Sequence, residues 1–435
     1  MHSPIYKQKN INFSKRKAKQ RLDELLDSID DEILQSPESA HKHIVEALNL
    51  AQELGEKQKI AKLHKQSMTY FRQKGDYKQA AHHLKLARNV YSEIEDIEGI
   101  IGVRNDLATL EFFKGNLSKA LKLGKKSLKA SQSINYKHGI LVSYNVIGLI
   151  LQKKGNIDEG LTYFFRGLKL AEKKQAIDII ASLSNNIGIC YQIQKKPQKA
   201  LPFLFKALNA QKKMGFQIRE ATSLGNIGLS YNYMEQYEEG LKYAYEALKI
   251  YEKNIPYSEK TAGAYNNISL FLEKQGKFEE ALLANERSLK IRERIGIVEN
   301  TSFNFIRYAA IYFQMQQYDK VLFYTKKAEK LVLQIKNNIS LKEVCELFIE
   351  TYNALGKHSE SIPYYEKILK INEEIFNEKS QKALAQFQVE YETAQKEKEI
   401  ELQKLALEKK EIQLEQKKAV EQMNLQLEIM VEERT

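Results

Sequence analysis

The sequence predicts an all-α chain: a right-handed α-solenoid of about nine helix-turn-helix units, followed by a long C-terminal helix or coiled coil. Three observations carry this prediction. Small residues return every 40 positions, apolar residues recur at helical spacing, and only 6 of 435 residues are proline. One series reads Gly75, Gly115, Gly155, Lys195, Glu235, Gly276, Gln316 and Gly356, with a single-residue insertion between Glu235 and Gly276. Five residues after each runs a second: Ala80, Ala120, Gly160, Ala200, Gly240, Ala281, Val321 and Ser361. Seven further on comes Ala87, Ser127, Gly167, Ala207, Ala247, Ser288, Ala328 and Ile368. A fixed period with small residues at fixed phases means one supersecondary unit stacked on itself, because small side chains are needed where helix backbones cross closely.

Residues 1–20 read as a basic, disordered arm, since Lys7, Lys9, Lys15, Arg16, Lys17, Lys19 and Arg21 all precede the first acid, Asp23. Much of the net charge of +12 therefore sits at the start of the chain. Such an arm can meet nucleic acid or anionic lipid. Few aromatics (Tyr6, Phe13) interleave with it, so nucleic acid is the least favoured partner. Periodicity starts near Arg21, and a first, degenerate repeat covers about 21–60. Eight more start near Ala61, Ile101, Leu141, Ala181, Ala221, Ala262, Ser302 and Lys342.

Within a unit, two amphipathic helices are expected. In the fourth, Leu141 to Lys153 carries apolar residues at helical spacing, Gly155 and Asn156 make the turn, and Asp158 opens a second helix. Leu161, Phe164, Phe165 and Leu168 lie on that helix's apolar face. So short a turn forces antiparallel neighbours.

Residues 381–435 contain no Gly and no Pro. Leu384, Phe387, Tyr391 and Ala394 have heptad spacing, as do Leu402, Leu405 and Ile412 after a slip. This tail reads as a coiled coil that makes a homodimer, or as a solitary charged helix held by pairs such as Glu392 with Lys396.

Two cysteines, Cys190 and Cys345, make no disulfide framework and place the chain in a reducing cytoplasm. The most apolar stretch, residues 139–151, is too short to span a membrane.

The repeat residues resemble the tetratricopeptide repeat. The marks are Asn186-Ile187-Gly188 with Tyr191, Pro197, Ala200 and Ala207, then Asn226-Ile227-Gly228 with Tyr231, Tyr237, Gly240 and Ala247. Gly276-Lys277-Phe278-Glu279-Glu280-Ala281 matches especially well. The step of 40 is similar to the long-helix subgroup of kinesin light chains and bacterial peptide-sensing regulators. The tail segment Phe387 to Thr393, together with Lys396 to Ile400, is similar to the segment after the repeats in bacterial tetratricopeptide sensors.

The resemblance implies a concave wall built from the first helix of each repeat, with ligand met at its second, fifth, ninth and twelfth positions. The fifth position then holds Asn105, Asn145, Asn185 and Asn266, and the sixth holds Asn186, Asn226 and Asn267. An amide side chain offers donor and acceptor together, so a ladder of them can hold a peptide backbone in either direction. The same amides can instead pair between neighbouring helices, and the two roles are compatible. Lys62, Lys65 and Arg72, with Thr69 and Thr109, make one end of the groove basic; Glu343, Glu346 and Glu350 make the other acidic. Phe303, Ile306 and Phe313 contact the ligand or receive the C-terminal helix as a cap.

His41, His43, His82 and His83 read as surface histidines rather than a metal site. The sequence shows no Walker loop, no G-x-S-x-G and no cysteine with a neighbouring histidine. Gly225-Asn226-Ile227-Gly228 belongs to a repeat helix and is no phosphate loop. The expectation is a non-enzymatic scaffold or adaptor without cofactors. It binds a peptide or partner domain in the groove, as part of bacterial signal transduction. The alternative is the sensory half of a signalling enzyme (histidine kinase, nucleotide cyclase or transcription regulator) whose output domain is absent from this chain.

Overall fold

The repeat period reappears in the backbone as a turn every 20 residues, half the unit. Left-handed φ occurs at Gly55, Gly75, Glu95, Gly115, Asn135, Gly155, Gln175, Lys195, Gly215, Glu235, Gly276, Gly296, Gln316 and Gly356. Each ends a helix. At Gly75 the amide bonds Arg72 O at 3.1 Å and the next amide, of Asp76, bonds Phe71 O at 2.9 Å. This paired closure satisfies the last carbonyls of a helix and suits glycine, which has no Cβ to clash at positive φ. The first series of small residues thus serves the turns, and the other two serve the helix crossings. A Cβ on Gly160 would stand 3.1 Å from Gly148 O, one on Gly240 3.1 Å from Gly228 O, and one on Gly167 3.0 Å from the Leu183 side chain.

The computed structural model describes residues 4–296, 300–335, 337–372 and 403. Every regular element among the described residues is an α-helix. The helices are α1 (Pro4–Gln35), α2 (Pro37–Leu54), α3 (Lys57–Gln73), α4 (Tyr77–Glu93), α5 (Ile97–Phe113), α6 (Leu117–Ser133), α7 (Lys137–Lys153), α8 (Ile157–Lys174) and α9 (Ile177–Ile193). They continue as α10 (Pro197–Met214), α11 (Gln217–Tyr233), α12 (Tyr237–Asn254), α13 (Glu259–Lys274), α14 (Phe278–Arg294), α15 (Thr301–Gln314), α16 (Tyr318–Gln334) and α17 (Asn338–Ala354). A last helical stretch covers 358–372. Taken in pairs they are the repeats of the expected all-α solenoid. Two differences stand out. The first helix of a repeat starts about four residues earlier than the apolar pattern begins, as at Lys57 and Ile97, because its first turn is polar or capped. Helix α1 begins at Pro4 rather than near Arg21, so helix covers most of the stretch expected to be a disordered arm. The coiled-coil reading of 381–435 lies outside the described residues.

The chain divides into two compact units, Met1–Leu331 and Val332–Thr435. In the first unit each odd helix packs on the even helices either side and also touches the next odd helix, from α1·α3 through α13·α15. The odd helices therefore form one continuous wall. Their core-facing positions repeat in phase: Ile147, Ile187, Ile227 and Ile268 are all buried. Aromatic pairs twelve residues apart fasten several odd helices to their partners, as in Tyr191–Phe203 at 5.9 Å and Tyr231–Tyr243 at 5.5 Å between ring centroids. The single-residue insertion falls in the α12–α13 connection. There residues 255–258 replace the usual tight turn, and Ser258 Oγ caps α13 by accepting from the Thr261 amide at 3.2 Å. In the second unit Phe348 of α17 stacks on Tyr364 at 4.3 Å, and Glu343, Glu346 and Glu350 are exposed on α17.

No helix among the described residues is long and apolar enough to cross a membrane.

Candidate functional site

Along the odd-helix wall the asparagines form a ladder, and they pair with one another. Asn186 Nδ2 donates to Asn145 Oδ1 at 2.8 Å, joining α9 to α7. Asn226 Nδ2 donates to Asn185 Oδ1 at 2.9 Å, joining α11 to α9. Ser223 Oγ adds a second donor to Asn185 Oδ1 at 3.4 Å. Asn105 lies deeper, 1 % exposed, with its Oδ1 accepting from Ser143 Oγ at 3.1 Å. Burial withdraws Asn105 from the surface that a ligand would meet.

The ladder breaks at α11–α13. The rung that holds Asn145 and Asn185 on the preceding helices holds Gly225 on α11. Asn267, one period on from Asn226, therefore has no amide to pair with and no hydrogen bond among the described residues. Its neighbour Asn266 carries a buried Oδ1 that no donor reaches. On the next odd helix the matching position is Arg307, which turns to Glu273 at 2.8 Å instead. A buried acceptor without a donor costs about 1–3 kcal/mol.

A recess of about 240 Å³ opens at this break. Thr222, Gly225 and Asn226 of α11 line it, with Lys260, Gly263, Ala264, Asn266 and Asn267 of α13 opposite and Ala244, Ala247 and Tyr251 of α12 behind. Two of its residues are mid-helix glycines. A Cβ on Gly225 or Gly263 would meet nothing within 4 Å, whereas one on Gly148 or Gly188 would meet a neighbouring side chain at 2.4–2.5 Å. Helix packing thus explains Gly148 and Gly188 and leaves Gly225 and Gly263 unexplained, although each costs the helix about 1 kcal/mol relative to alanine. Missing side chains on an open wall let another backbone come close. The base is fixed: Tyr251 is buried and shares a 2.9 Å hydrogen bond with Thr222 Oγ1, and burial pushes its hydroxyl up to about 12.

The basic end of the wall is partly self-neutralised. Lys65 Nζ lies 3.1 Å from Asp106. Burial opposes the Lys65 charge, but Asp106 more than offsets it and raises its pKa. Desolvation lowers the Arg72 pKa; its guanidinium sits 4.5 Å over the Phe113 ring with a buried, unpaired Nε. Thr69 and Thr109 turn their hydroxyls back to their own helices, bonding Lys65 O and Asn105 O. Lys62 and Phe303 are exposed, while Ile306 and Phe313 are half-buried.

The histidines are only partly at the surface. His82 is exposed, but His41 stacks on Tyr70 at 4.7 Å, His43 bonds Glu32 at 2.6 Å, and His83 meets His64 at 3.1 Å, Nδ1 to Nδ1. No group of three or more histidines, cysteines or carboxylates among the described residues is placed to hold a metal ion. Both cysteines are buried, and burial raises the Cys190 thiol to about 12, far from a reactive thiolate.

The structure thus brings Asn226, Asn266 and Asn267 together at the recess and pairs Asn145 with Asn186 and Asn185 with Asn226. It keeps Lys65 and Arg72 on α3, well along the wall. Sequence reading missed Gly225, Gly263, Lys260 and Tyr251. The available signal was Gly225 standing at an asparagine phase.

Tetratricopeptide repeat models match residues 219–294 and 350–375. The first match spans α11 to α14 and so contains the break. No curated protein matches the chain in sequence. Solved structures share its fold. The apo form of RapI is 13% identical, with a TM-score of 0.57, over 83% of this chain and 98% of that one. The apo quorum sensor NprR from B. thuringiensis is 17% identical, with a TM-score of 0.55, over 82% of this chain and 99% of its own. A signal transduction ATPase with a tetratricopeptide repeat sensor from Pyrococcus horikoshii is 17% identical, with a TM-score of 0.58. That match covers 83% of this chain and 55% of the ATPase.

Proposed function

We propose that this chain is a non-enzymatic regulatory binding module that seats an extended peptide segment on the odd-helix wall of its first unit. The carrying observation is the recess at the ladder break, which is lined by Asn266, whose Oδ1 is buried without a donor, by the unpaired Asn267, and by two glycines with no packing role. A peptide backbone supplies what is missing there. Its N–H donates to Asn266 Oδ1, its C=O accepts from Asn267 Nδ2, and the absent Cβ atoms let the main chain approach. The paired asparagines of α7, α9 and α11 hold the wall in register and need not break to admit the ligand. Neighbours in fold fit this role: one carries its repeats as a sensor and another is a quorum sensor. The two buried thiols suit a reducing cytoplasm, and the heptad-bearing tail is the segment proposed to dimerise.

The test uses fluorescein-labelled pools of unstructured eight-residue peptides, read by anisotropy against the full chain. Wild type is expected to bind a subset of pools. Asn266→Ala with Asn267→Ala is expected to weaken those at least tenfold with no loss of helicity. Unchanged binding in the double variant would remove the recess as the seat.

A further inference from the structure

On the side of the first unit away from the odd-helix wall, the even helices divide by charge. Helix α6 carries five lysines, α10 carries four, and neither carries an acidic residue. Helices α12 and α14 instead mix the signs, with four glutamates each among three and four cations. Lys119, Lys122, Lys126 and Lys129 follow at steps of three and four, so they share one face of α6, and all four are exposed. Together they span roughly 15 Å of helix at 1.5 Å per residue. Arg166 and Lys169 of α8 stand one repeat on from Lys126 and Lys129 and are exposed as well. Lys119 turns to Glu111 at 3.2 Å, but Lys122, Lys126, Lys129, Arg166 and Lys169 form no ion pair among the described residues. Like charges at these spacings weaken a helix, so the row does not serve to hold α6 together. Aromatic rings adjoin the cations. Phe165, directly before Arg166, is exposed and meets Phe203 edge-on at 5.6 Å. Phe205 stands in the same way before Lys206, which pairs with Glu172.

We propose that this outer face of α6 and α8 binds single-stranded nucleic acid, with phosphates on Lys122, Lys126, Lys129, Arg166 and Lys169 and a base against the exposed ring of Phe165. Rows of cations follow a phosphate backbone without reading its sequence, and an aromatic face accepts any base. The basic N-terminal stretch has few aromatics among its cations, whereas here an exposed ring sits beside them. A lipid surface would ask for apolar side chains to insert, but the exposed residues of α6 are lysine, serine and glutamine alone. The face shares no residue with the recess on α11 to α13, so it is a second site and stands or falls apart from the peptide seat.

The test titrates the full-length chain into fluorescein-labelled oligothymidylate of about 15 nucleotides, the upper range of one single-strand site, and reads anisotropy at several salt concentrations. Binding is expected at low salt, with log K falling linearly in log salt. Lys122→Gln with Lys126→Gln and Lys129→Gln should weaken it at least tenfold and flatten the slope by about 2, at roughly 0.7 per lost phosphate contact. The three side chains are exposed, so circular dichroism should be unaltered. Phe165→Leu keeps apolar bulk beside Phe203 but removes the stacking face; it should cost about fivefold and leave the slope as it was. Absence of binding at low salt, or unchanged binding in the glutamine variant, overturns the proposal. So does a loss caused instead by Lys15→Gln with Arg16→Gln and Lys17→Gln, which would place the strand on the N-terminal stretch. Tighter binding to a DNA duplex, to polyglutamate or to phosphatidylserine vesicles than to oligothymidylate overturns the choice of partner. Asn266→Ala with Asn267→Ala should leave oligothymidylate binding unchanged; a loss there would put the strand on the odd-helix wall and overturn the outer site.

Discussion

Two stretches of the same wall, α7 to α11 and α11 to α13, are built on one plan and end differently. In the first, each asparagine meets the asparagine 41 residues on, and the amides cancel one another. In the second, glycine stands where Asn267 would find its partner, and Arg307, which would serve Asn266, turns to Glu273 instead. An amide that is paired within the fold acts as structure, and the same amide without a partner is available to a ligand. The chemistry of the residue does not distinguish these roles; the neighbour one repeat away does.

The heaviest way to break the comparison is to loosen the frame of α13. Arg292→Ala removes the bidentate bond to Glu259 and the 2.6 Å bond to Asn304 Oδ1, within a buried network that includes Asn285. Arg292 is buried while Glu259 is part-exposed, so the loss of these hydrogen bonds and the stranding of Asn304 cost about 3 kcal/mol, and the change releases Glu259 beside Lys260. Urea unfolding should register that loss, and the peptide pools should bind more weakly. A shift under about 1 kcal/mol would mean that the network does not hold the recess.

Acid gives the next largest effect, and it arises elsewhere. Desolvation, then the charges of His83 and His82, lowers His64 to about 4 from its ordinary 6.5. The unfolded chain then takes up its proton first, so stability is intact above pH 6.5 and falls as pH drops from there to about 4. At about 1.4 kcal/mol per pH unit, the ceiling is about 3 kcal/mol. Thermal melts across this window should show the slope, and His64→Phe should flatten it. Any acid loss of peptide binding that persists in that variant belongs to the recess.

The sharpest test sets one asparagine against another. Asn185→Ala strands Asn226 Nδ2 and Ser223 Oγ, and should lower stability by about 1–2 kcal/mol. Asn266→Ala deletes an acceptor that was already unsatisfied. It should leave stability level or slightly raised while binding fails. Equal losses in both variants would erase the distinction between ladder and recess.

The smallest effect comes from mending the break. Gly225→Asn restores the ladder pattern beside Asn267 and fills a position where no atom stands within 4 Å. A better helix former and one new hydrogen bond should add about 1 kcal/mol, seen as a small rise in the urea midpoint. Peptide binding should drop at least tenfold. Gained stability with retained binding would show that the open wall at Gly225 is not needed.

Much of this was legible in the sequence. The period of 40 fixed the helix pairs, because a repeated unit has to bury the same face in every copy. The asparagine phases also named the wall residues, and Asn226, Asn266 and Asn267 do line the recess. The series at Gly75, Gly115 and Gly155 marked the turns, since left-handed φ favours a residue without Cβ.

Other features needed the fold. Whether Asn145 faces solvent or Asn186 depends on the separation of α7 and α9, which no single helix encodes. Gly188 and Gly225 look alike in sequence, but one is pressed by Leu204 and the other faces open space. Lys260 reads as one more lysine until Glu259, its neighbour in the chain, is seen gripped by Arg292 from the adjacent helix. Local periodicity is written into the chain because it concerns each residue's place on its own helix. Which polar groups are left without partners is a property of pairs far apart in sequence, and packing alone settles it.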